Sequence, residues 1–186
     1  MTIGKTGVLA LAAVIVIGAA PVCAQEEMMT SLSPVKVRAL VNKMTEKTRP
    51  GGRLSDEDVR LYLGSHLAED AQFTSHMTYR IPGFEDQVQD FVVDKAQFID
   101  NILTARGTMK NYKSTVKVTE IDIARDKQYA LVRIDTKESG EMPVGEGQYM
   151  PFTGEASCQQ EIRIAGSVPQ ITGAACTSLV AIVDKR

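Results

Sequence analysis

His66 and Asp70 stand four residues apart in a stretch of helical periodicity, so a continuous helix would set them on one face. An imidazole oriented by a carboxylate is the usual equipment of a general base, and Tyr62, on the same side, would add a hydroxyl. The competing reading is structural. A single His on an apolar face packs as core or rim, and an Asp after a helix satisfies backbone donors at the turn into a strand. The structural reading is the simpler one, because no third group completes a catalytic set. The remaining candidates are thin. Two His and two pairable Cys do not make a metal-ligand set, so no metal and no cofactor are expected. Met44 and Met77 fall on apolar faces, where core packing accounts for them. Gly145-Glu146-Gly147 is too short for a phosphate loop, and no Ser-His-Asp arrangement can be assembled.

Cys158 and Cys176 have a clearer task. From Glu155 to Val183 the chain reads as two strands joined by Gly166-Ser167-Val168-Pro169, which is turn chemistry. Cys158, Gln160, Ile162 and Ile164 alternate with polar residues, as do Thr172, Ala174, Cys176, Ser178, Val180 and Ile182 with a second set. A symmetric hairpin centred on Ser167 puts Cys158 opposite Cys176 and Ile162 opposite Thr172. Opposed Cβ atoms in an antiparallel pair lie roughly 4.5–5.5 Å apart, near disulfide reach.

The chain as a whole suits one globular domain behind a processed leader: it has 186 residues, is 44% hydrophobic and carries a net charge of -2. So modest a charge argues against nucleic acid as a partner, and the absence of Trp argues against a stacking platform. Lys5, the apolar run Val8–Ala20 and the small residues before Gln25 read as a signal peptide over residues 1–24, leaving residues 25–186 as a single domain. The alternative is a retained N-terminal membrane anchor. Cleavage removes Cys23 and leaves two cysteines in an oxidising space, periplasmic or extracellular.

In chain order, Ser33-Pro34 opens a helix with Val37, Leu40, Val41 and Met44 on one stripe, ended by Arg49-Pro50-Gly51-Gly52. Ser55 with Asp58 opens a second, whose apolar face is Val59, Tyr62, Leu63 and Leu67. Gln72–Arg80 alternates as a strand with Phe73, Ser75, Met77 and Tyr79 on its inner face. Ile81–Phe91 reads as a loop. Asp94 with Gln97 caps a third helix that Gly107 should stop. Tyr112–Ile123 needs a β-bulge near Thr119-Glu120 to bring Val116, Val118, Ile121 and Ile123 onto one face. Gln128–Lys137 is a strand, and Ser139–Gly154, with four Gly and two Pro, reads as a long loop or flap. The pattern is α+β: a bent antiparallel sheet with three helices of the N-terminal half on its concave side.

Two segments carry a family resemblance. His66-Leu67-Ala68-Glu69-Asp70-Ala71-Gln72-Phe73 resembles the helix-to-strand junction of the nuclear transport factor two-like superfamily, which includes ketosteroid isomerase, scytalone dehydratase and polyketide cyclase relatives. Val93-Asp94-Lys95-Ala96-Gln97-Phe98-Ile99 resembles the start of that superfamily's third helix. The resemblance implies a cone-shaped fold over nearly the whole mature chain. It also implies that Ser75 stands where the isomerases place their general-base Asp, and that Pro34–Thr48 lacks their hydroxyl-donating Tyr. His76, of opposite strand parity, should point out of the cone. Fold does not carry function. Two readings follow. The first is an exported, non-catalytic binding or scaffolding domain, which holds a small apolar ligand against Tyr62, His66, Phe73, Ser75, Met77 and Tyr79. It could equally pair with an envelope protein, or with itself, across the sheet face. The second is a small isomerase- or dehydratase-like enzyme using His66 with Asp70.

Overall fold

The computed structural model of the chain describes residues 28–145 and 147–183. The expected leader, with Cys23, lies outside them, as does the choice between cleavage and anchor. Among the described residues no helix is long and apolar enough to cross a membrane.

Helix α1 is Pro34–Thr48, with Ser33 at its N-cap accepting from the Lys36 amide and Pro34 in the first turn. Its stripe Val37, Leu40 and Val41 is buried. Helix α2 is Asp56–His66. Ser55 Oγ accepts from the Asp58 amide at 3.1 Å and donates to the Asp58 carboxylate at 2.6 Å. Helix α3, Lys95–Thr108, opens with a full capping box between Asp94 and Gln97. Gly107 does not stop it. That glycine is not among those with positive φ, and the helix closes one residue later, on the Met109 amide bonded to the Ala105 carbonyl.

The strands are β1 (Leu67–Arg80), β2 (Gln87–Asp94), β3 (Lys110–Ile123), β4 (Tyr129–Gly145), β5 (Gln148–Ala165) and β6 (Val168–Ile182). They form one open six-stranded sheet in the order β2-β1-β6-β5-β4-β3. The fold is α+β with three helices on one face of a bent sheet. The sheet is mixed, because β1 and β6 run parallel while the other neighbours are antiparallel. Val37, Leu40, Val59, Leu63 and Ile99 of the helices close over Ala130, Val132, Ile134, Ile162 and Ile171 of the sheet to make the core. Burying each of the larger side chains contributes roughly 1.5–3 kcal/mol before entropy is counted.

Three stretches depart from expectation. Half of Ile81–Phe91 is not loop: β2 begins at Gln87 and pairs antiparallel with β1. Its outward residues Val88, Asp90 and Val92 are exposed, so no buried run marks it in the sequence. Ser139–Gly154 is not a flap but the far half of a long β4/β5 hairpin turning at Gly147, whose φ is 69°. Its glycines answer to packing: a Cβ at Gly140 would lie 3.0 Å from the Lys110 carbonyl oxygen, where β3 crosses close to β4. In the β5/β6 hairpin Cys158 does face Cys176, and the two form a disulfide with Cα atoms 4.1 Å apart. Ile162, however, faces Ile171 rather than Thr172, because the register shifts between Glu161 and Ile162. The extra residue lets Ile171 join Ile162 in the core. The expected β3 bulge is present between Val118 and Glu120, and Val116, Val118, Ile121 and Ile123 all pack against the core.

Candidate functional site in the cone

The inner face of the sheet is built from small residues at its centre. Gly154, Ala156 and Cys158 of β5 and Ala174, Cys176 and Ser178 of β6 all line one cavity of about 550 Å³. Side chains of that size cannot reach the helices, so the space between sheet and α3 stays hollow where larger residues would fill it. Phe73, Met77 and Tyr79 of β1, Phe91 and Val93 of β2, and Phe98 and Ile102 of α3 form the surrounding walls. Phe73 and Phe98 stack with ring centroids 3.9 Å apart. Two smaller hollows, about 160 and 290 Å³, share Ile102 and Thr136 with this cavity and continue it beneath α1. The disulfide lies on the cavity wall, so it braces the two strands at the point where small residues remove packing.

Phe73, Ser75, Met77 and Tyr79 line the cavity, whereas Tyr62 and His66 lie outside it. Tyr62 and His66 stack on each other with centroids 4.1 Å apart and are buried at 6% and 3% exposure. His66 Nδ1 sits 2.9 Å from the Tyr62 carbonyl oxygen. Ser65 Oγ lies at the same 2.9 Å from Nδ1, so that nitrogen sits between a carbonyl and a hydroxyl. Lys47 Nζ lies over the Tyr62 ring, 4.4 Å from its centroid. The structure separates His66 from Asp70. The spacing argument assumed a helix through both, but α2 ends at His66 and Leu67 begins β1, so the four-residue spacing no longer means a shared face. Asp70 points outward, its side chain 79% exposed, and pairs with Arg163 at 3.3 Å. His76, of outward parity, is exposed and pairs with Asp90 at 2.7 Å.

The polar groups the sequence reading missed are Tyr112, Ser114 and Glu138, at the end of the cavity between β3 and β4. Burial and the neighbouring Glu138 carboxylate push the Tyr112 hydroxyl well above its ordinary range, and the hydroxyl donates to that carboxylate. Ser114 adds a second hydrogen bond to Tyr112. Tyr112 thus stands as a neutral hydroxyl beside the Glu138 carboxylate. A sequence signal existed: Glu138 has the parity of Val132 and Ile134, both buried, so it is an acid on an inward-facing register. The strand was expected to end at Lys137, which hid it. Among the described residues no group of three or more His, Cys, Asp or Glu is placed to hold a metal ion.

No protein-family model matches the chain, and no curated protein matches it. Solved structures do. A scytalone dehydratase-like protein from Novosphingobium aromaticivorans superposes with a TM-score of 0.52 at 12% identity, over 82% of this chain and 90% of the other. The hexachlorocyclohexane dehydrochlorinase LinA-type3 from Novosphingobium barchaimii gives 0.51 at 10% identity, over 82% and 93%. A type 2 LinA dehydrochlorinase gives 0.50 at 11% identity, over 82% and 92%. At such identities the likeness is one of fold alone, consistent with the cone that the resemblance to the nuclear transport factor two-like superfamily implies.

Proposed function

We propose that the protein is an exported, non-catalytic binding domain whose cone holds a small, largely apolar ligand. The observation that carries this reading is the cavity of about 550 Å³ behind small inward residues, a size within the usual range for small-molecule sites. Phe73, Met77, Phe91 and Phe98 supply apolar contact, with Ser75, Asn101, Thr136 and Gln160 interspersed as polar groups. Ser75, at the position where the resemblance would place a base, offers only a hydroxyl. The enzyme alternative built on His66 with Asp70 draws no support from a buried ring and an outward carboxylate. Export is supported by the apolar run near the N-terminus and by the Cys158–Cys176 disulfide, since such bonds persist in oxidising compartments.

Native mass spectrometry of the protein prepared from the periplasm tests the reading. The expected result is a chain beginning at Gln25, oxidised at both cysteines, carrying a small-molecule mass that is lost on denaturation. A chain retaining residues 1–24 would support the anchor instead, and a ligand-free chain that turns over a dehydratase substrate would replace binding by catalysis. A second reading, in which the outer sheet face pairs with an envelope protein or a second copy, is favoured by Val88 and Val92, exposed at 58% and 67% on β2.

A further inference from the structure

We infer that the cavity selects an organic ammonium ligand, whose apolar body lies against Phe73, Met77 and Phe98 and whose cationic head rests on Glu138. This rests on the binding reading above and names the chemistry of what is bound. The residues lining the cavity include two carboxylates, Glu138 and Glu155, and no Lys, Arg or His. Glu155 is neutralised from outside, by Lys137 at 3.0 Å. Glu138 differs. Arg49 lines the adjoining hollow, yet among the described residues no ion pair joins it or any other cation to Glu138.

The surroundings of Glu138 are arranged for a donor. Across the ladder it faces Gly154, and a Cβ there would come within 3.7 Å of Glu138 Oε2, so the missing side chain leaves that flank of the carboxylate open. An ionised carboxylate has about four lone-pair sites, and the Tyr112 hydroxyl takes one. The rest border the cavity, where α3 presents Ile102 and Ala105 beside the polar Asn101. There a charge–charge contact is less screened than in water, and an anionic ligand would be repelled. An ammonium group satisfies the carboxylate with up to three N–H donors, and the tail fills the hollow left by Gly154, Ala156 and Ala174.

The test is calorimetric titration with three probes that share one apolar body: 4-phenylbutylamine, 4-phenylbutan-1-ol and 4-phenylbutyrate. Each is measured on the unaltered protein, on Glu138→Gln and on Ala156→Leu, with folding of each variant checked by circular dichroism. The amine should bind at least about tenfold more tightly than the alcohol, and the carboxylate most weakly. Glu138→Gln should bring the amine down to the affinity of the alcohol. Ala156→Leu should weaken all three. Equal affinities on the unaltered protein, each weakened by Ala156→Leu, would overturn the ammonium inference and leave the binding reading standing. An amine preference that survives Glu138→Gln would also overturn it. No binding of any probe at millimolar concentration would remove both.

Discussion

Arg106 is a charge almost withdrawn from solvent, with its side chain 6% exposed, and each nitrogen of its guanidinium donates. It donates to the carbonyls of Lys47, Arg49 and Leu54 at 3.3, 2.8 and 2.7 Å and pairs with Asp56 at 3.2 Å. The turn from α1 to α2 therefore has its carbonyls satisfied by α3. Arg106→Ala should lower stability by about 2–4 kcal/mol in urea denaturation, since it leaves those acceptors without partners. Arg60→Ala, which breaks the half-exposed pair with Asp100, should change it by less than about 1 kcal/mol. Tyr112 allows a test by pH. Its hydroxyl is raised in the folded protein, so the native state binds that proton more tightly than the unfolded chain does. The sign follows: stability is undiminished below the ordinary tyrosine range near 10 and falls as pH rises above it. Tyr112→Phe should flatten this alkaline decline when denaturation midpoints are compared between pH 9 and 11.5. An identical decline in both proteins would mean that Tyr112 ionises freely.

Among the elements, the β5/β6 hairpin carries the clearest cost of removal. The disulfide joins Cys158 to Cys176 across a sequence separation of 18. Replacing both with Ser should destabilise the fold by roughly 3 kcal/mol on the loop-entropy model and lower the melting temperature without altering the sheet. Alkylation of the unreduced, denatured protein checks the premise: two labelled thiols per chain would show the bridge absent in solution. At the turn, Gly166 has φ of 65°, so Gly166→Ala should cost about 1–2 kcal/mol, read in the same denaturation experiment. The hairpin also shows how far local pattern reaches. Alternation placed Cys158 opposite Cys176, because register near a short turn follows from side-chain parity. It could not place Ile171, since a one-residue bulge at Thr172 reflects the demand of the core for one more aliphatic residue.

For the whole molecule, a cavity walled by small residues is packing given up for the sake of space. Ala156→Leu should therefore raise the melting temperature of the ligand-free protein by several degrees while weakening ligand binding, the usual opposition of stability and function. A lower melting temperature would mean that the cavity already accommodates no extra volume. Helix starts were legible in the sequence because caps are local chemistry: Ser33, Ser55 and Asp94 each act within three residues of themselves. So were the inward faces of β1 and β3, the bulge that reconciles Val118 with Ile121, and the α+β class, all of which follow from parity and element order. The parallel pairing of β1 with β6 was not, because it joins residues about a hundred apart and no local signal encodes it. Nor was the separation of His66 from Asp70, which turned on where α2 gives way to β1. The cavity belongs wholly to the tertiary structure. Along the chain Gly154, Ala156, Ala174 and Glu138 carry no sign of a site, and only the meeting of β3, β4, β5 and β6 under α3 turns their small volumes and one carboxylate into one.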